Sequence, residues 1–150
     1  MINKRTPITI LMADDDEDDR SLTREALEEG RLVNELRFVE DGEDLLDYLR
    51  REGKYAGSNA PRPGLILLDL NMPKKDGRTT LKEIKGDPDL RQIPVVILTT
   101  SKADEDVYRS YDLGVNSYIV KPVTFEALVD VLQTLEKYWF EIVELPPDVK

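Results

Sequence analysis

The 150-residue sequence contains no histidine and no cysteine. Without cysteine there are no disulfides, no thiolate nucleophile and no cysteine metal site, a composition that suits a reducing compartment. Without histidine there is no imidazole general base, no imidazole zinc ligand and no phosphohistidine carried by the chain itself. Phosphohistidine chemistry involving this chain therefore needs a donor on another protein. Positive charge is scarce as well: 21 basic against 31 acidic residues give a formal net charge of −10. That is the wrong sign for phosphate-driven binding of nucleic acid, so none is expected. Long apolar runs are missing. Stretches such as Leu65 to Leu68 fall far below the roughly 20 residues needed to cross a bilayer, and no membrane association is expected. Lys4 and Arg5 precede only a short apolar stretch that runs straight into acids, unlike a secretory signal, so a cytoplasmic location is expected. There is also no G-x-x-x-x-G-K-[ST] loop to support nucleotide hydrolysis.

What remains is a soluble composition, 40% hydrophobic and 35% charged, of a size for one domain. Short apolar runs recur at Ile8 to Ala13, Leu36 to Val39, Leu65 to Leu68, Val95 to Leu98 and Tyr118 to Val120, which predict five strands. Between them, apolar residues three or four apart predict five helices: Leu22 with Ala26 and Leu27, Leu45 with Leu46 and Leu49, Leu81 with Ile84, Val107 with Tyr111, and a long stripe from Phe125 to Leu135. Strict alternation of strand and helix argues for a parallel sheet covered on both faces, a doubly wound α/β fold. Gly30 and Gly114 stand where helix C-caps belong, and Thr124 where an N-cap belongs. Residues 53–64, rich in glycine and proline, predict an exposed insertion. The domain core is placed at about residues 8–138 of a single domain spanning 1–150, with a C-terminal extension over 139–150.

In an open parallel sheet, ligands bind beyond the carboxyl ends of the strands. The first predicted strand ends in Asp14, Asp15 and Asp16, and the third ends in Asp69. If those strands are neighbours, Asp14, Asp15 and Asp69 converge. Two unit charges about 4 Å apart repel by roughly 4 kcal/mol at an effective dielectric of 20, so such a cluster must take up protons or a cation. With oxygen ligands only, the expected ion is Mg2+, which keeps several waters and accepts phosphate oxygens as further ligands. A carboxylate beside such an ion can act as a nucleophile toward phosphorus, and Asp69 is the candidate. Thr99 at the end of strand four and Lys121 just past strand five would add a hydroxyl and a cation at the same edge.

Together, Asp14-Asp15, the run from Asp69 through Asn71 to Gly77, Thr99 and Lys121-Pro122 resemble the signature of two-component response-regulator receivers over roughly residues 8–136. The resemblance implies a flavodoxin-like sheet of order 2-1-3-4-5 flanked by five helices, and phosphorylation of Asp69 by a sensor histidine kinase. It further implies that Asp15, Asp69 and the backbone carbonyl of Asn71 hold Mg2+, with Asp14 acting through water. Lys121 would pair with the phosphoryl group, and Thr99 would move to hydrogen-bond it. Tyr118 would turn inward, carrying the change to the face of the predicted fourth helix, fifth strand and fifth helix. Asn71 and Ser101 occupy the two positions that tune phosphoryl lifetime. Within the family, the 53–64 loop, the stretch Ser110 to Gly114 and the aromatic tail resemble cyanobacterial phytochrome-partner and bacteriophytochrome regulators. Those are single-domain proteins that tend to pair as homodimers, and with no second domain expected here the output of this chain is expected to be protein contact or phosphate relay.

Plainer readings stand beside these. Asp16 to Asp19 are better read as capping and dipole residues of the first helix. Lys121 alone would be a solvated lysine, and Tyr118 alone half-buried strand packing. Trp139 and Phe140 suit either a fold-back onto their own domain or a dimer contact. A dehalogenase-type phosphohydrolase needs an acid two residues after its nucleophile, where this chain has Asn71. A flavodoxin-like carrier needs a phosphate cradle where this chain has acids. A degenerate receiver, acting only as a binding or dimerisation module, is the remaining alternative.

Overall fold

Aliphatic runs flanked by turn residues have too few polar groups to sit at a surface, and those at residues 10–13, 65–68 and 95–98 form buried parallel strands, while residues 36–39 at the sheet edge are half-buried. The structure, a computed structural model, describes residues 8–30, 34–69, 77–99, 117–120 and 124–135, with only the backbone of Thr99 and 117–120. Its strands are β1 (Ile10–Ala13), β2 (Leu36–Val39), β3 (Leu65–Asp69), β4 (Val95–Thr99) and β5 (Ser117–Val120). They form one sheet in the order β2-β1-β3-β4-β5, all pairs parallel. The described helices are α1 (Glu17–Glu29), α2 (Gly42–Arg50), α3 (Gly77–Gly86) and α4 (Phe125–Leu135). The helix expected around Val107 and Tyr111, and the cap expected at Gly114, lie outside the described residues.

Side chains alternate across the sheet. Leu11, Ala13, Ile66, Leu68, Val95 and Ile97 join Leu45, Leu81 and Ile84 of α2 and α3 in one core layer. Ile10, Met12, Leu65, Leu67, Val96 and Leu98 join Ala26 of α1 and Leu132 of α4 in the other. Each fully buried Leu, Ile or Val stabilises by roughly 1.5–3 kcal/mol before conformational entropy is counted, so β1 and β3, buried along their whole length, anchor the fold.

Local chemistry sets the helix ends. Asp16 caps α1, its Oδ1 accepting from the N–H groups of Asp18 and Asp19, and Glu17, Asp18 and Asp19 fill the dipole-favoured first turn. Asp41 caps α2 by accepting from the Asp44 N–H. Thr124 Oγ1 accepts from the Ala127 N–H at 3.1 Å, the expected cap of α4.

Four details differ from the sequence pattern. β1 begins at Ile10, because the Ile8 carbonyl is taken by Asn34 Nδ2 at 2.9 Å. Leu22, counted in the apolar stripe of α1, is 43% exposed. Thr23 takes the inward place, its hydroxyl satisfied by the Asp19 carbonyl four residues back. Gly30 is the C-cap of α1, as expected, its N–H donating to the Ala26 carbonyl, but it caps with φ −79° instead of a left-handed turn. A Cβ there would lie 3.3 Å from Gln133 Cγ of α4, so the close approach of two helices, not backbone freedom, suits glycine. The 53–64 insertion is exposed only in part: it opens with a 3-10 turn (Gly53–Tyr55) and buries Ala60 and Pro63.

Candidate functional site

Strand register builds the site. Ala13 pairs with Val39 on one side and with Leu68 on the other. The next residues along, Asp14 and Asp69, therefore emerge together at the carboxyl rim. One carboxylate oxygen from each of Asp14, Asp15 and Asp69 lies within 4.8 Å of the other two. Asp14 is completely buried and Asp69 is 6% exposed, whereas Asp15 faces solvent. The backbone holds this corner: the Asp14 N–H donates to the Val39 carbonyl at 3.1 Å, and Asp14 Oδ1 accepts the Asp16 N–H at 2.9 Å. α1, α2 and α3 all begin at this rim, so the positive ends of their dipoles offset part of the negative charge.

Three converging carboxylates, two of them withdrawn from water, repel one another strongly without a counter-charge. The donor set is all oxygen, compact and open to solvent on the Asp15 side. It suits a hard divalent cation that keeps part of its water shell, such as Mg2+ or Mn2+, better than a soft metal.

Other expected site residues fall as follows. Thr99 is the last residue of β4 and pairs with Val120, which puts its backbone at the same rim. Tyr118 lies in β5 opposite Ile97. Asn71, Ser101, Lys121, Trp139 and Phe140 lie outside the described residues. Two contributors were missed in the sequence. Arg20 reaches back from α1 and donates through Nη1 to the Asp14 carbonyl at 2.8 Å. Its signal was a lone arginine within an otherwise acidic first stretch of helix. Asp41, 7% exposed, stands at the start of α2 on the same rim. A cavity of about 850 Å3, lined by Arg50, Arg62, Asp87 and Gln92 among others, holds no expected site residue. It sits against the turn that precedes β4, at the opposite end of the strands.

A doubly wound parallel sheet with an acidic rim at its strand ends defines the class: an α/β domain with a carboxylate site able to hold a divalent cation. The sequence matches the response regulator receiver domain over residues 10–133, and the chain belongs to that family. Among curated relatives, response regulator Rcp1 of Synechocystis sp. is 46% identical over 140 residues, covering 93% of this chain and 94% of the relative. Among solved structures, the phosphorylated cyanobacterial phytochrome response regulator RcpA superposes with TM-score 0.80 at 46% identity, over 91% of this chain and 96% of that one. The Mn(2+)-bound form of Rcp1 gives TM-score 0.80 at 46% identity, over 93% and 99%.

Proposed function

We propose that this chain is a single-domain response regulator that accepts a phosphoryl group onto Asp69 in a Mg2+-dependent reaction and signals by changing the surface it presents. The observation that carries the reading is the convergence of Asp14, Asp15 and Asp69, two buried and one exposed, at the carboxyl ends of β1 and β3. Asp69 closes a strand whose five residues are all buried, which fixes its carboxylate in position. An oxygen of that carboxylate attacks the phosphorus of a phosphohistidine on a sensor kinase. The O–P bond forms as the P–N bond breaks, and the donor imidazole leaves. Because this sequence has no histidine, the phosphohistidine lies outside it.

Asp15 and Asp69, with the Asn71 carbonyl, would hold the ion, and Asp14 would support it through water. Bound there, Mg2+ supplies positive charge that offsets the negative charge on the transferred oxygens. Lys121 pairs with the phosphoryl group in this reading, and Thr99 and Tyr118 carry the switch. Asn71 and Ser101 set how long the acyl phosphate lasts. The similarity to RcpA, a cyanobacterial phytochrome response regulator, favours a phytochrome-type kinase as donor. The reading also includes a cytoplasmic location, a homodimer with Trp139 and Phe140 as candidate contacts, and a downstream protein or phosphorelay. The receiver core runs from about residue 8 to 138, and 139–150 form an extension.

The test is incubation with a small phosphodonor, with and without Mg2+, followed by intact mass measurement. A metal-dependent phosphoryl adduct that Asp69→Asn abolishes is expected. No adduct in the wild type would leave a binding-only receiver as the better description.

A further inference from the structure

The insertion between α2 and β3 is tied to the domain at two levels. Away from the rim, Arg51 Nη2 donates to the Ala60 carbonyl at 2.8 Å, the Tyr48 hydroxyl donates to the Pro61 carbonyl at 2.9 Å, and Arg62 donates to the Asp89 carbonyl. Nearer the rim, the 3-10 turn folds back along α2, so close that a Cβ on Gly53 would stand 2.9 Å from Asp47 Oδ2. From that turn the Tyr55 hydroxyl donates to Asp44 Oδ1 at 2.9 Å. The rings of Tyr48 and Tyr55 meet edge to face at 5.1 Å, which fixes the direction of the phenol.

Asp44 is where this tie meets the site. Its other oxygen, Oδ2, accepts the Glu40 N–H at 3.1 Å, and its own N–H donates to Asp41 Oδ1 at 2.8 Å. Glu40 directly follows Val39, whose carbonyl accepts the Asp14 N–H at 3.1 Å. One carboxylate thus joins the insertion to the β2–α2 turn, and that turn is bonded to the backbone of the first acid of the cluster. Capping α2 needs only Asp41 and Asp44. A phenol brought in from eleven residues further along is an addition to that cap. Burial, and the hydrogen bond to Asp44, raise Tyr55 well above the ordinary phenol range, so it remains a donor at neutral pH.

We propose that Tyr55, acting through Asp44, is a positioning residue for the acid cluster: it holds the β2–α2 turn in the place that keeps Asp14 and Asp15 converged on Asp69. The Mg2+ consequence rests on the metal-dependent reading above; the positional one does not. Partners one bond removed from a metal ligand change affinity by about 10–100-fold. Tyr55 stands further out, so a loss of about threefold is expected.

The experiment compares Tyr55→Phe, which removes only the hydroxyl, with Arg62→Ala, which cuts one of the insertion's ties away from the rim. Three quantities are read on the full chain: thermal midpoint, Mg2+ affinity by calorimetry, and amide hydrogen exchange at Asp14 and Glu40 without metal. Both variants should lower the midpoint modestly. Only Tyr55→Phe should speed exchange at Asp14 and Glu40 and raise the Mg2+ dissociation constant about threefold. Unchanged exchange at those two amides in Tyr55→Phe, or equal effects of both variants on them, overturns the proposal whether or not the ion binds. Faster exchange in Tyr55→Phe beside a wild type that binds no Mg2+ supports the positioning role and counts against the metal-dependent function instead.

Discussion

Replacing Asp69 by asparagine should make the metal-free protein more stable, although it destroys the residue on which the proposed reaction depends. The side chain keeps its size and can still accept hydrogen bonds, but one of three crowded charges is gone. At the 4.8 Å limit of the cluster, Coulomb's law with an effective dielectric of 20 gives about 3.5 kcal/mol of repulsion per charge pair. Asp15 faces solvent, so salt and water screen its share, and the buried Asp14–Asp69 pair dominates. Asp69 also has interactions of its own that the amide makes less strongly. A net gain of about 1–2 kcal/mol is expected, which for a chain of this size corresponds to a rise of roughly 2–8 °C in melting temperature. The assay is scanning calorimetry in chelator at low salt, repeated with excess Mg2+. The wild type should gain with the ion by mass action, about 2.7 kcal/mol at a hundred times its dissociation constant, and the variant much less, so the stability order reverses. Raising the salt should shrink the metal-free gap. An Asp69→Asn protein no more stable than wild type in chelator would refute the idea that carboxylate repulsion dominates the metal-free site.

Two further outcomes follow from the same structure. Burial holds Tyr48 and Tyr55 above their ordinary value of 10.0, so the folded chain keeps phenol protons that the unfolded chain releases. Their stabilisation is complete below pH 10 and is lost as pH climbs past it, while Lys85, lowered by burial from 10.5, works the other way as pH approaches that value. Urea midpoints should therefore fall from about pH 10 upward, less steeply in Tyr55→Phe; tyrosinate absorbance of the folded protein that rises with pH just as it does in the unfolded chain would contradict this. Gly64→Ala places a methyl group 2.6 Å from Ile8 Cβ at the entry to β3. It should cost about 1–3 kcal/mol by overpacking, read as a lower urea midpoint, and Gly64→Ala with Ile8→Ala should recover part of it.

The parts of this protein readable from sequence are those where one local rule decides. A strand buried on both faces accepts only aliphatic residues, so β1, β3 and β4 appear as unbroken apolar runs, and a charge that closes such a run, as Asp69 does, has to have a partner. Register then makes Asp14 and Asp69 neighbours once β1 and β3 are paired. Where a polar group satisfies itself locally the pattern misleads. The Thr23 hydroxyl bonds back into its own helix and packs inward, leaving Leu22 outside, because a satisfied hydroxyl costs little to bury. Where the deciding contact is distant, pattern is silent. The glycine at 30 reads as a helix cap, yet the neighbour it makes room for is Gln133, 103 residues away.

The insertion is the strongest case of that silence. Glycine, serine and proline over 53–64 report low helix and strand propensity, which says what the segment will not form and nothing about what it will touch. Its one tyrosine, Tyr55, carries the missing information. A phenol needs both an apolar surface for its ring and an acceptor for its hydroxyl, and a chain that turns back on α2 offers Tyr55 both at once in Tyr48 and Asp44. An aromatic residue in an otherwise turn-forming stretch, a few residues beyond a helix carrying acids, is therefore a readable sign of a segment packed back onto its own domain. In this chain that sign marks a segment tied to α2 through Tyr55 and Asp44.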